Sequence, residues 1–320
     1  MSGGIPKKLD DDTFIHLFRK GGATLVQQVG GASQQAIKVR RRNIEKFQGI
    51  TLTSPNFKGP AIWKEVNAVQ KRLTETVKDG VVLIGSDSHY WPGIITTAHR
   101  AFVKLARELK PQVIIKNGDE LDFPGISRHP AIGWEERPRV VDEIECAKER
   151  LTEIEDASKN SKLYWPLGNH DARFETRLAS VAPEYANVHG VHLKDHFPRW
   201  KPCWAVWLND DVVVKHRFKG GVHATHNNTV ASGKTMVTGH LHSLKVNPYS
   251  DYNGTRWGVD TGTMAEPYGP QFENYTEQGP LNWRSGFAVL TFHKGKLLWP
   301  ELCFVQSEGV VDFRGKVIEV

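Results

Sequence analysis

Four short polar runs carry residue types that bind divalent metal ions. They are Gly85-Ser86-Asp87-Ser88-His89, Asn117-Gly118-Asp119-Glu120-Leu121-Asp122, Gly168-Asn169-His170-Asp171 and Gly239-His240-Leu241-His242. Carboxylate, imidazole and amide-oxygen donors together suit Mn, Fe, Zn or Ni better than a thiolate-seeking metal. Each run alone reads as an ordinary turn. Their placement gives them weight, because each follows a short apolar segment that predicts a strand: residues 81–84, 113–115, 163–167 and 236–237. In an open α/β sheet, ligands bind beyond the carboxyl ends of the strands, so these ends would converge on one site.

A fifth apolar segment, 212–214, leads through Lys215 to His216. Taken in order, Asp-x-His, Gly-Asp-x-x-Asp, Gly-Asn-His-Asp, a lone His and Gly-His-x-His form the motif set of the calcineurin-like metallophosphoesterases, which this sequence resembles over about residues 79–320. Arg173, the stretch 178–185 and Asn282-Trp283-Arg284-Ser285-Gly286-Phe287 are similar to phage-encoded members. The resemblance implies that Asp87, His89 and His242 hold one ion, that Asn169, His216 and His240 hold the other, and that Asp119 bridges the two. Seven such ligands are too many for one ion and suit two, which together bind phosphate oxygens and activate a bridging water for in-line attack. Two divalent transition ions are therefore expected, Mn²⁺ first, with Fe, Zn or Ni as alternatives. By the same resemblance His170 is not a ligand but acts on the transition state or the leaving oxygen, with Asp171 orienting its ring, and Asp122 supports the site without binding metal. Arg173 is a candidate for a phosphate oxygen. One departure stands out: the family's lone histidine is usually followed by Gly, whereas Arg217 follows His216, and His223 and His226 downstream remain competitors for the position. Tyr90-Trp91 offers an aromatic wall for a base, or simply packs the loop, and His129 is a minor candidate for substrate contact.

The elements that must position these residues alternate. Helices are expected at 94–109, 140–157 and 173–182 between the strands, and further strands at 286–292, 297–304 and 310–317. The predicted class is α/β, a calcineurin-like αββα sandwich of two mixed sheets. A small all-α domain precedes it.

That first domain, residues 1–48, has its own chemistry. Residues 1–50 hold nine Lys/Arg and four Asp/Glu, and the remaining chain 33 and 32, so nearly all of the net charge of +6 sits at the start. Helices are expected from a cap at Asp11/Asp12 to Gly21-Gly22, from about 23 to 29, and from the cap Ser33 to 47, with Gly30-Gly31-Ala32 as the turn. Helix, glycine turn, helix is the pattern of a helix-turn-helix. Ile37 and Ile44 would face its core. Gln34, Gln35 and Lys38 would then point toward a major groove, with Arg40, Arg41 and Arg42 near phosphates; otherwise these arginines are a solvated face. Residues 49–78 read as a linker with a helix over 61–77, and 79–320 as the catalytic domain.

Composition narrows the class. Three scattered cysteines form no paired pattern, which excludes a disulfide framework and a Cys-based zinc site. The N-terminus lacks an apolar targeting core, and no apolar run approaches the roughly 20 residues of a membrane span, so a cytoplasmic protein of a bacterial or phage-infected cell is expected, with no membrane partner. The reading is a two-metal phosphoester hydrolase, a nuclease or phosphodiesterase directed to DNA by its N-terminal domain. The alternatives are a phosphomonoesterase acting on protein or nucleotide, and a DNA-binding regulator whose phosphoesterase domain is a scaffold. Oligomeric state is not encoded in any of these features.

Overall fold

The computed structural model describes residues 9–55, 69–276 and 279–320, and the chain divides into two units at Ala68/Val69. In the first unit, α1 (Asp11–Gly30) is interrupted at Gly22, where φ is 67°, so two helical stretches follow one another as the glycine pair predicts. The cap is Asp10, whose carboxylate accepts from Thr13 N at 2.7 Å, rather than Asp11 or Asp12, which lie in the first turn and favour the helix dipole there. Helix α2 (Gln34–Gln48) starts from Ser33, whose hydroxyl accepts from Ala36 N, and stops at Gly49. Phe14, Phe18, Val26, Ile37, Ile44 and Leu52 form the core of this unit. Ile37 and Ile44 are buried as their spacing requires.

The linker helix expected from Ala61 lies, as far as residue 68, outside the described residues. Beyond it the chain is not helical: β1 (Leu73–Glu75) is a strand paired with the second sheet. The second unit therefore begins at Val69 rather than at Asp79.

Its strands continue with β2 (Gly80–Gly85), β3 (Val113–Lys116), β4 (Lys162–Pro166), β5 (Lys201–Cys203), β6 (Val206–Leu208), β7 (Val212–Val214), β8 (Thr235–Thr238), β9 (Lys245–Asp251) and β10 (Gly254–Asp260). The last are β11 (Gly286–His293), β12 (Lys296–Leu297), β13 (Glu301–Ser307), β14 (Val310–Phe313) and β15 (Lys316–Glu319). One sheet has the order β15-β14-β13-β11-β2-β3-β4-β5 with β12 beside β11, the other β1-β6-β7-β8-β10-β9. Both mix parallel and antiparallel pairs, as expected. In the first, β2 to β5 are parallel, and in the second β7, β8 and β10 are parallel.

Side-chain alternation assigns each strand face its partner. Val82, Ile84, Val113 and Ile115 join Val206, Val214, Val237 and Val259 in the core between the sheets. Leu83, Ile114, Leu163 and Trp165 face the other way, onto α3 (Thr97–Leu109) and α4 (Val140–Ala157). Helix α4 packs through Ile144, Ala147, Leu151 and Ile154, a helical period of apolar positions. Helix α5 (Ala172–Val181) follows β4, and α6 (Ala224–Ser232) covers β8, β9 and β10 on the outer face of the second sheet. The result is the αββα sandwich. No helix among the described residues is long and apolar enough to cross a membrane.

Candidate metal centre

The parallel strands deliver their carboxyl ends side by side. The loops stay paired past the strands: Asp87 N donates to Gly118 O (2.8 Å) and His89 N to Asp119 O (3.0 Å). Asp87, His89, Asp119, His240 and His242 all have positive φ, between 38° and 71°. A cluster of left-handed non-glycine residues costs energy, and it persists where the surrounding structure fixes it. The glycines of the motifs have a steric reason. A Cβ on Gly168 would lie 2.0 Å from Asp119 Oδ1, and one on Gly239 would lie 2.5 Å from Asp87 Oδ2. Each removes a side chain where a carboxylate from another strand end must pass.

Three groups of potential ligand atoms come together among the described residues: Asp87, His89 and His242; Asp119, His216 and His240; and His89, Asp122 and His170. The first joins the three residues expected on one ion, and the second joins Asp119 to His216 and His240. His242 Nε2 is 3.1 Å from Asp87 Oδ1, and His216 Nε2 is 3.0 Å from Asp119 Oδ2 and 4.0 Å from Asp87 Oδ1. Asn169 lines the same cleft as His170 and His240. His216 is thus the histidine that reaches the cluster. His223 precedes α6, and His226, on α6, stacks edge-on against Tyr249.

The ring nitrogens are assigned by their other partners. His216 Nδ1 is 2.8 Å from Asn117 O, and His89 Nδ1 is 2.9 Å from Asp122 Oδ1. Donation from Nδ1 turns Nε2 of each ring toward the site, where it can supply a lone pair once it carries no proton. His89 Nε2, Asn169 Oδ1 and His242 Nδ1 are buried without a hydrogen-bond partner among the described residues. Buried polar atoms are rarely left so, and a bound cation would satisfy these. Electrostatics ask for the same thing. Burial alone would raise Asp87, but His242 and His216 outweigh it and hold it at about 2. Asp119 is likewise pushed well down, by His216 and His170 against burial. His216, despite burial, is drawn up to about 10 by Asp119 and Asp87. The carboxylates hold protons on imidazoles where ions would otherwise sit, so these residues fit two divalent cations.

The third group is satisfied differently. Asp122 Oδ1 accepts from His89 Nδ1 and lies 2.7 Å from His170 Nδ1, so this carboxylate is a hydrogen-bond hub. Burial opposes its ionisation, and the bonds from His170 and His89 reverse that. His170 Nε2 is 4.0 Å from Asp119 Oδ2 and 3.2 Å from Arg173 Nη2, while Arg173 Nη1 donates to Asp122 O at 2.7 Å. His170 is half-buried at the cleft. Burial lowers its proton affinity, but Asp119 and Asp122 raise it overall. Arg173 therefore anchors the Asp122 loop as well as lining the cleft.

Asp171 does not orient His170, contrary to expectation. Its carboxylate points the other way and accepts from the backbone N–H groups of Asp119, Glu120, Leu121 and Gly168 and from Trp165 Nε1. It ties the third loop to the second. Tyr90 is buried, its Oη 3.1 Å from His99 Nδ1, so Trp91 alone of that pair lines the cleft. That cleft, about 630 Å³, also receives His129, Phe272 and Trp283. Phe272 comes from a segment without motif spacing and gives no sequence signal, whereas Trp283 lies in the 282–287 stretch similar to phage-encoded members, which carries no expected role. Buried Lys116, its Nζ 2.9 Å from Glu120 Oε2 and 2.7 Å from Ser88 Oγ, is equally silent in the sequence.

In the first unit Gln34, Gln35, Lys38 and Arg42 are exposed on α2. Arg40 is engaged within the unit: Nη2 donates to Leu9 O and Asp11 Oδ1, and the guanidinium lies over Phe14. Arg41 lies over Phe18, 3.5 Å from Glu45.

No protein-family model matches the chain. The Gene 54 protein of Mycobacterium phage L5 is 26% identical over 247 residues, covering 69% of this chain and 92% of that protein. Among solved structures, Vps29 complexed with zinc from Entamoeba histolytica covers 75% of this chain and 98% of its own at 11% identity, with a TM-score of 0.39. YfcE, a phosphoesterase from E. coli, covers 69% and 97% at 13% identity, with a TM-score of 0.33.

Proposed function

We propose that this chain is a calcineurin-like metallophosphoesterase, a phosphoric ester hydrolase that uses two divalent ions and acts on phosphodiesters of nucleic acid. The observation that carries the reading is the set of buried, unpartnered donor atoms on His89, Asn169 and His242 beside the paired carboxylates Asp87 and Asp119. Bound ions would supply Lewis acidity toward phosphate oxygens and a nucleophile at neutral pH. Asp87, His89 and His242 would hold one, Asn169, His216 and His240 the other, with Asp119 shared. His170 delivers a proton from Nε2 to the leaving oxygen, and Asp122, bonded to Nδ1, keeps the ring aimed and stabilises its charged form. Arg173, against Nε2, opposes the charge on the ring and so favours release of that proton.

Direction to DNA rests on the N-terminal unit, read as a helix-turn-helix. Its second helix exposes Gln34, Gln35, Lys38 and Arg42 on a surface that fits a groove flanked by phosphates. The test is turnover by the Mn²⁺-loaded protein of bis-p-nitrophenyl phosphate, p-nitrophenyl phosphate and labelled DNA. Hydrolysis of the diester and of DNA is expected. Turnover confined to the monoester would replace this reading with a phosphomonoesterase, and a metal-loaded protein inert toward all three would point to a DNA-binding regulator.

A further inference from the structure

The residue that departs from the family pattern, Arg217, opens onto a second cleft. This cleft, about 440 Å³, is lined by Lys215, Arg217, Phe218, Lys219 and His240, and its lining holds no carboxylate. His240 also borders the main cleft, so the two meet at a proposed metal ligand. The side chains of Arg217 and Lys219 have no hydrogen-bond or carboxylate partner among the described residues, and Lys215 lies 5.2 Å over the Phe218 ring. Other exposed arginines of this unit meet a carboxylate, as in Arg72–Asp210, Arg139–Asp142 and Arg314–Glu301, or, like Arg107, Arg128 and Arg177, stand outside this cleft. The loop carrying the cations is also fixed. Lys219 N donates to Asn228 Oδ1 at 2.9 Å, Ala224 N to Gly221 O at 3.0 Å, and Lys245 Nζ to Val222 O at 2.8 Å.

Like charges held together in a concave site repel one another unless an anion joins them, and such a site concentrates anions. We propose that Lys215, Arg217 and Lys219 form a second phosphate subsite, which takes the phosphate next to the scissile one in an oligonucleotide substrate. The strand continues from the metal centre past His240 into this cleft, and Phe218, half exposed at its edge, offers a ring on which a base can stack. The inference rests on the phosphodiesterase reading and narrows its substrate to diesters that carry more than one phosphate.

The test uses the full chain and Arg217→Ala/Lys219→Ala on two substrates, bis-p-nitrophenyl phosphate and a thymidine tetranucleotide. The tetranucleotide is single-stranded and offers no duplex groove to the N-terminal unit. Loss of the two cations is expected to raise KM for it about ten-fold. The log–log dependence on salt should flatten by about 0.7 for each phosphate no longer neutralised. Both constants for the single-phosphate diester should be unchanged. Unchanged KM and slope for the tetranucleotide, or equal losses on both substrates, would overturn the subsite. Should the wild type turn over neither substrate, the phosphodiesterase reading fails separately. Fluorescence anisotropy of a labelled tetranucleotide then decides the subsite: weaker binding by the double variant sustains it, and equal binding removes it.

Discussion

His170 Nδ1 lies 2.7 Å from Asp122 Oδ1, and the same oxygen is 2.9 Å from His89 Nδ1. One carboxylate thus orients both a proposed metal ligand and the proposed acid, and would couple the position of a leaving group to that of a bound ion. His170→Ala is expected to lower kcat by about two to four orders of magnitude with both ions retained. Asp122→Asn, which disturbs both rings, should cost about 10–100-fold in metal affinity as well as activity. Metal content measured beside steady-state kinetics separates the two. Loss of metal from His170→Ala would place that ring among the ligands instead.

Asp171 should behave in the opposite way. Five N–H groups converge on its buried carboxylate, and removing it leaves buried donors unpaired. Asp171→Ala is expected to lower stability by at least about 3 kcal/mol, seen as a fall in Tm of the metal-free protein. His170→Ala should leave that Tm nearly unchanged. A stable Asp171→Ala protein with a selective loss of kcat would restore it to the acid machinery.

Much of this architecture is legible in the sequence. Helix α4 runs over the predicted residues, and the strands before the four motifs lie within a residue or two of expectation, because buried parallel strands are short, nearly uniform apolar runs. The hairpin of β9 and β10 escapes a reading by pattern, although Asn253-Gly254 marks its turn. Its strands are half exposed and carry Pro248, Tyr249 and Arg256, which blur the alternation. Strands β14 and β15 read as a single strand, since Arg314-Gly315 turns the chain within an otherwise strand-like stretch. The expected ligands are readable because each must sit at a strand end, whereas the partner of His170 is not. Adjacency in sequence favours Asp171, but the residue after His170 opens a helix and its side chain points to the other side of the loop.

Metal binding should release protons. Without ions His216 holds its proton up to about pH 10, because Asp119 and Asp87 outweigh its burial. A cation must displace that proton, so apparent affinity for Mn²⁺ should rise by up to about ten-fold per pH unit between roughly pH 6 and 9. Isothermal titration in buffers of different ionisation enthalpy counts the protons. His216→Ala should bind more weakly with a flatter dependence, and a wild-type affinity independent of pH would contradict the electrostatic reading.

Glu143 offers a test of the scaffold away from the ions. It is buried on α4, accepts from Phe123 N at 2.7 Å, and is raised to about 8 by burial, with Asp122 adding to the shift. A carboxyl raised above its unfolded value contributes stability that is complete below about pH 4.5 and lost as pH rises through about 8. Glu143→Gln keeps an acceptor oxygen and cannot ionise. Its Tm should match the wild type near about pH 5 and exceed it near about pH 9, by roughly 2–4 °C per kcal/mol of relieved penalty. Parallel Tm curves across that range would show that Glu143 does not titrate as described.

The N-terminal unit separates its arginines by role, and this makes the proposed DNA contact testable without unfolding it. Arg40 closes the unit on itself through Leu9 O, Asp11 and the Phe14 ring, so its replacement acts on stability. A part-exposed ion pair and cation–π contact of this kind contribute on the order of 1 kcal/mol each. Lys38 and Arg42 are exposed one helical turn apart, and so lie on the same side of α2. Lys38→Glu/Arg42→Glu should leave the unit folded, weaken duplex binding strongly and reduce the log–log salt slope by about 0.9 for each phosphate no longer neutralised. Gln34→Ala or Gln35→Ala should instead blur sequence preference at nearly constant slope, since a base-edge contact releases no counterion. Hydrolysis of a small diester should be unaffected by all of these, because every proposed ligand lies in the other unit. Circular dichroism of Arg40→Ala beside salt titrations of the Lys38/Arg42 variant on one duplex would decide the matter. Equal salt slopes for wild type and variant would make this helix face solvent-exposed only, and DNA direction would then have to come from the catalytic unit alone.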